Sequence, residues 1–278
     1  MEVVYGSLAA LACLAAAAGF WRLGGILGRR LGKGQGEAVS AAALAVTLAL
    51  IGVVRWNSSR LPLWMVLSPL LYLEFAYFLP TLLLFLGLAA TRVPRPETVR
   101  ALRWLSGIVA LYSALHLWLA FDAWSLPGLS SHPPPGPVQA QTTGWSCGAA
   151  SCVNLLTAHG IRSTEREMAE LCLTLPYRGT TTPRFVRGLI LKLRKEGSPL
   201  RVRAMEGLKV ADLDGFPMPC LLGIRGSLLV GHAVVLLAKT SEGRYRVADP
   251  LGGGKLVEIP PTELASVFTG DAVAIVPP

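Results

Sequence analysis

The chain has 278 residues, 52% hydrophobic and 15% charged, with a formal net charge of +9. A soluble globular domain carries about 25% charged residues, so a uniformly soluble protein is a poor fit. The shortfall is uneven: residues 1–135 hold 15 charged side chains and residues 136–278 hold 28. The basic residues of the first part sit between apolar runs, which points to an anionic membrane surface rather than to nucleic acid.

Four nearly uncharged runs open the chain: Val3–Trp21, Ala38–Val54, Leu61–Thr91 and Trp104–Phe121. A spanning helix needs about 20 residues, so residues 1–124 read as an all-α transmembrane bundle of about four helices in contact with lipid. The third run contains Pro69, Glu74 and Pro80. It reads as one kinked span, with two crossings, and so five spans, as the alternative. Trp21, Trp56, Trp64, Trp104 and Trp124 fall near run ends, as an interfacial belt would. The first run is preceded by Glu2 and followed by its positive charges, unlike a signal peptide. The loops after runs one and three each carry four arginines or lysines, and the loop between runs two and three carries Arg55 and Arg60. The positive-inside rule places the first two loops in the cytoplasm and, after four spans, the C-terminal part outside; a fifth span would reverse that. Glu74 and His116 lie within apolar runs, where an ionisable group is a functional candidate or a bond between helices.

Residues 125–137 (SLPGLSSHPPPGP) are too rich in proline and glycine to continue a helix and read as a linker. Residues 138–278 read as a soluble α+β domain. The segment after Gln141 begins as a loop and becomes a helix, with Ser146 as the expected N-cap and Cys147 in the first turn. There the helix dipole and free backbone N–H groups favour a thiolate nucleophile. Gly148 would let a substrate backbone approach.

A nucleophilic cysteine needs a base. Of the four histidines, His116 lies in an apolar run, His132 in the linker, and His159 about 18 Å along the helix from Cys147. His232 remains, at the start of the strand-like run Gly231–Ala238. A Glu-Gly turn and a second strand, Arg244–Ala248, lead to Asp249-Pro250. A hairpin of that length can bring Asp249 to His232, where a carboxylate would orient the imidazole.

The five cysteines match no zinc spacing, and neither a metal nor a cofactor is expected. Cys152 and Cys172, each on a predicted helix, could pair in an oxidising compartment. The tract Lys192-Leu-Arg-Lys195 reads as a solvated helix face. Gly252-Gly-Gly-Lys255 is no phosphate loop: Asp249 stands at the first glycine position and Leu256 follows the lysine.

From Gln141 to about Ile275 the chain resembles the C39 family of papain-like cysteine peptidases, the leader-cleaving domains of bacteriocin exporters. The resemblance is carried by Gln141-x5-Cys147-Gly-x-Ala, Gly179-Thr-Thr, Pro219-Cys-Leu-Leu, Gly231-His232-x-Val-Val-Leu and Val247-Ala-Asp249-Pro250. It implies a papain-like fold of N-terminal helices and an antiparallel sheet. Cys147 would be the nucleophile, His232 the general base and acid, Asp249 the orienter, and Gln141 an oxyanion donor. It also implies a peptide substrate cut after a Gly-Gly leader, and a bacterial inner-membrane setting with a separate transporter or other membrane partner. The chain departs from the family in having Ser146 where aspartate is common, in lacking the ATPase, and in placing the membrane part first. A peptide-binding domain that does not cut, or another thiol acyl-transfer enzyme such as an amidase or transglutaminase, are the competing readings.

Overall fold

A computed structural model of the chain describes residues 2–56, 67, 79–122, 126, 128–134, 136–176, 179–227 and 230–278. The chain divides into two compact units, one within residues 1–124 and one carrying residues 125–278.

The first unit is helical: α1 (Glu2–Arg30), α2 (Lys33–Trp56), α3 (Leu79–Ala90) and α4 (Pro96–Asp122). Three of these helices, α1, α2 and α4, outrun the apolar stretches read from the sequence. α1 continues past Trp21 to Arg30, and α4 starts eight residues before Trp104, taking in Glu97, Arg100 and Arg103. Among the described residues one segment, Ala10–Arg30, is long and apolar enough to cross a membrane, where four runs were expected. α3, at 12 residues, spans about 18 Å. Glu74, residues 68–78 of the third run and the His116 side chain lie outside the described residues.

Glycine sets the contact of α1 with α3. A Cβ on Gly24 would stand 2.4 Å from the Leu84 carbonyl, and one on Gly87 would stand 2.4 Å from that of Trp21. Gly24 and Gly28 are four apart, the small-residue spacing that lets membrane helices touch backbone to backbone. Gly28 lies against Thr91, so the two helices run parallel. The Thr47 and Thr81 hydroxyls meet at 2.9 Å between α2 and α3. Arg92, just past α3, donates to the carbonyls of Leu31 (3.0 Å) and Gly32 (3.2 Å) at the end of α1. The two basic loops therefore share one end of this unit.

The second unit is α+β with an antiparallel sheet, as expected. Three helices, α5 (Cys147–Ala158), α6 (Glu165–Leu171) and α7 (Thr182–Lys195), precede six strands. These are β1 (Arg201–Met205), β2 (Cys220–Ser227), β3 (Val230–Lys239), β4 (Tyr245–Asp249), β5 (Lys255–Ile259) and β6 (Phe268–Val276), with α8 (Pro261–Val267) before the last. The strand order is β1-β6-β2-β3-β4-β5, every pair antiparallel.

Strand alternation divides the core. Cys220, Leu222, Val234, Leu236, Tyr245, Val247, Ala272 and Ala274 form one buried cluster with Leu213, Phe216 and Leu264. The intervening Leu221, Ala233, Val235, Ala248 and Val273 are buried too, and α5 packs on β3. A sheet covered on both faces reads as continuous apolar sequence, which is why Ala233–Ala238 carries no polar residue.

Lys192 corrects the expectation of a solvated face. Its side chain is 4% exposed and bonds Glu167 (2.9 Å) and Glu196 (2.8 Å). Glu167 gathers Lys192, Lys195 and Ser163, and despite burial these bonds bring its carboxyl down to about 2. The buried cation survives because it is doubly paired. Arg194 and Lys195 of the same tract are exposed.

Candidate active site

Cys147 is the first residue of α5 and is half-buried. Ser146 holds the cap position, but its side chain makes no cap bond. Its Oγ instead turns back, accepting from Thr143 N and donating to Thr143 O, both at 3.1 Å. The expected side-chain cap is thus replaced by a clasp on the preceding loop, and the first-turn N–H groups beside Cys147 receive no side-chain acceptor from it. Gly148 also differs from expectation. It is buried, and a Cβ there would meet the Phe185 ring at 2.4 Å and Thr180 at 3.0 Å, so it makes room for protein rather than substrate.

One turn after Cys147, Ser151 Oγ donates 2.8 Å to the buried carbonyl of Ala233, the residue after His232. This bond ties the cysteine helix to the histidine strand. His232 sits near the start of β3, opposite Ile224. Asp249 ends β4, and its Oδ1 lies 2.7 Å from His232 Nε2 while accepting from Leu251 N at 2.8 Å. Cys147 shares the cleft with this ring and acts on it electrostatically. Burial alone pulls the His232 pKa down; the bond with Asp249, and then Cys147, outweigh it and raise it to about 9. Burial likewise pushes Asp249 up, but the His232 bond, the Leu251 amide and the charge of Lys255 hold its carboxyl below the usual range. At neutral pH the pair is imidazolium and carboxylate.

Cys147 and His232 face one cleft of about 450 Å³. Gly179–Thr182 and Phe185 line it, with Gly223, Ile224, Thr269 and Asp271. Gln141 is not in that lining. Its Nε2 donates 2.9 Å to Thr143 O, and its buried Oε1 has no partner among the described residues. Its backbone N–H donates 3.0 Å to Pro250 O, so the loop before Cys147 is joined to the residue after Asp249.

Two positioning groups gave no sequence signal. Glu165, fully buried, accepts from Thr142 N (2.9 Å), Thr142 Oγ1 (2.7 Å) and Ser130 N (3.2 Å). Asn154 Oδ1 accepts from Gln139 N at 2.6 Å. Together they hold residues 139–142 in place from two helices. Cys152 and Cys172 face each other with sulfurs 3.9 Å apart, as free thiols. Burial, then the bond with Cys172, push the Cys152 thiol well up. Among the described residues no cluster of His, Cys, Asp and Glu fits a metal ion.

No family profile matches the chain, and no curated protein matches it. Solved structures do resemble it over about half its length. The peptidase domain of Streptococcus ComA, a bi-functional ABC transporter involved in a quorum sensing pathway, is 17% identical, with a TM-score of 0.43 over 51% of this chain and 98% of that one. A double glycine motif protease from an AMS/PCAT transporter, in complex with the leader peptide, is 20% identical, with a TM-score of 0.43 over 55% and 96%. The N-terminal peptidase C39-like domain of the toxin secretion ATP-binding protein from Vibrio parahaemolyticus is 16% identical, with a TM-score of 0.37 over 49% and 98%.

Proposed function

We propose that the chain is a membrane-held cysteine peptidase that cleaves a peptide by acyl-enzyme chemistry, with a leader ending in Gly-Gly as the substrate class. The observation that carries this reading is His232, paired with Asp249 at 2.7 Å and lining one cleft with a cysteine at a helix N-terminus. The Cys147 thiolate attacks the scissile carbonyl carbon. The oxyanion takes the N–H of Cys147; Gln141, whose side-chain amide is given to Thr143 O outside the cleft lining, joins it only by turning toward the cleft. His232 then gives its proton to the leaving amine, and a thioester remains on Cys147. Water, giving its proton to neutral His232, attacks the thioester and releases the acid and the thiolate. Asp249 keeps Nε2 engaged throughout, so Nδ1 is the nitrogen turned toward sulfur.

Cys147→Ala should abolish hydrolysis of Gly-Gly leader peptides, and His232→Ala should lower it by at least about 10³-fold. Mass spectrometry should trap a substrate-derived acyl group on Cys147. Full activity in Cys147→Ala would sink the mechanism. An acyl group that passes to added amines and never to water would make the chain a transferase.

The helical unit is proposed as the membrane anchor, of four spans. Leucine and isoleucine side chains of α1 and α4 point outward (Leu11 62%, Ile108 62% and Leu111 63% exposed), as lipid contact requires. With both basic loops at one end, that end is the cytoplasmic one, and the chain leaves α4 on the other side. The catalytic unit is then extracytoplasmic. A tag after Pro278 should resist protease added to the cytoplasmic face of membrane vesicles; its cleavage would mean an odd number of spans.

A further inference from the structure

We propose that Asp271 is a specificity residue of the cleft, taking the cationic side chain of a lysine or arginine near the bond that is cut. This deepens the peptidase reading and depends on it for the ligand being a peptide.

The geometry begins in an irregularity of the sheet. Leu222 pairs with Ala272 and Ile224 with Phe268, so Gly223 alone faces Thr269, Gly270 and Asp271. Such bulges re-aim side chains. Gly270 takes φ +94, a conformation that favours glycine, and its carbonyl accepts from Leu208 N at 3.0 Å, which pins the bulge from behind. Gly223 is required opposite: a Cβ there would stand 2.6 Å from Thr269 Oγ1 and 3.5 Å from the Asp271 carboxylate. Thr269 Oγ1 donates 3.0 Å to Gly223 O and lies 3.3 Å from Asp271 Oδ2. Asp271 thereby joins the lining of the cleft that holds Cys147 and His232.

Its surroundings ask for a cation. Burial, and then the like charge of Glu206, push the Asp271 carboxyl up, with only the Thr269 hydroxyl acting against them. The cation lining the same cleft, His232, is paired with Asp249 at 2.7 Å, and Arg225 on the adjoining strand β2 is given to Ser266 O at 3.1 Å. The facing wall, Thr180–Thr182 and Phe185, is neutral. A substrate ammonium or guanidinium would supply the missing charge, and Ile224 and Phe185 offer apolar surface for its aliphatic stem.

The test uses the full chain with Cys147→Ala, in lipid nanodiscs, and labelled nonapeptides with a central Gly-Gly. One flanking position at a time is lysine, arginine, norleucine or glutamate. At one position lysine and arginine should bind about tenfold tighter than norleucine, as a charge-assisted contact predicts. Asp271→Asn should bring that ratio within about twofold, and Asp271→Lys should turn the preference to glutamate. No cationic preference at any position, no peptide binding, or a preference untouched by Asp271→Asn would overturn the assignment. So would a preference lost on acetylating the peptide N-terminus, which would give the carboxylate to a terminal ammonium. Cleavage is read separately with Cys147 present: tenfold cationic preference in binding without any cleavage leaves Asp271 in this role and removes the peptidase reading.

Discussion

The two units solve opposite packing problems. Among the described residues every strongly exposed large hydrophobic except Leu251 and Leu256 belongs to the helical unit, with Trp104 at 69%. The sheet unit buries Leu155, Leu156, Leu222 and Leu236 completely. A helix satisfies its own backbone and can turn leucine outward to an apolar solvent. Its contacts then come from shape, as where Gly24 and Gly87 let α1 and α3 meet. The sheet unit gets its shape from apolar burial and its precision from polar bonds inside it, such as Ser151 to Ala233 and Glu165 to Thr142. Removing a methyl's worth of space should harm the first unit, and removing one hydrogen bond should harm the second.

The largest effect expected from breaking one polar bond is at Asp249. Asp249→Asn should lower kcat by about 10²–10³-fold, the scale of a misdirected general acid. It should also move the alkaline limb of the pH profile. In the native chain, activity should fall as pH rises through about 9, where His232 loses its proton. The folded value lies above the ordinary 6.5, so while Asp249 stays ionised the pair's contribution to stability is full below about pH 6.5, and it fades as pH climbs through about 9. Without the carboxylate the limb should fall back toward 6.5; a limb that stays at 9 in Asp249→Asn would remove Asp249 from this role.

A smaller effect, confined to the other unit, is expected from Gly87→Leu. The side chain must enter where a Cβ already meets the Trp21 carbonyl, so the helical unit should lose about 1–3 kcal/mol in detergent unfolding. Alkylation of Cys147 should keep its rate; a parallel fall would show that the two units are coupled. Ser151→Ala is the finest cut. It leaves the buried Ala233 carbonyl without its bond, about 1–2 kcal/mol by thermal unfolding. It should lower kcat more than it raises KM, because the cysteine helix is freed from the histidine strand. An unchanged kcat would reduce the bond to plain packing.

Much of the sheet unit was legible because its signals are local. The helix from Cys147, the strand through His232 and the turn before Asp249 each follow from a few adjacent residues. What escaped lies between distant segments. The charges of 192–195 look solvated until α6 brings Glu167 to Lys192. Ser151 is one small residue on an apolar helix until a strand 82 positions later offers its carbonyl. The Asp271 bulge depends on a register set by β2, which nothing in residues 268–276 announces. In the helical unit the apolar runs were plain, but their ends were not. Helices continue through arginines where solvent or headgroup takes the charge, so α1 ends at Arg30 and not at Trp21.

The strand order carries a consequence for how the molecule is made. β6 is the last strand in sequence yet lies between β1 and β2, with Arg201 opposite Val276 and Cys220 opposite Ala274. As a chain emerges from the ribosome, β2 to β5 can pair as a meander while β1 waits, unattached, for residues some 70 positions behind it to arrive. Until then β2 shows an open edge, and the segment that carries Asp271 is missing from the cleft. The nascent chain thus holds its cysteine and histidine for a time without the finished cleft around them. A late-arriving interior strand makes completion of the groove one of the last events of synthesis.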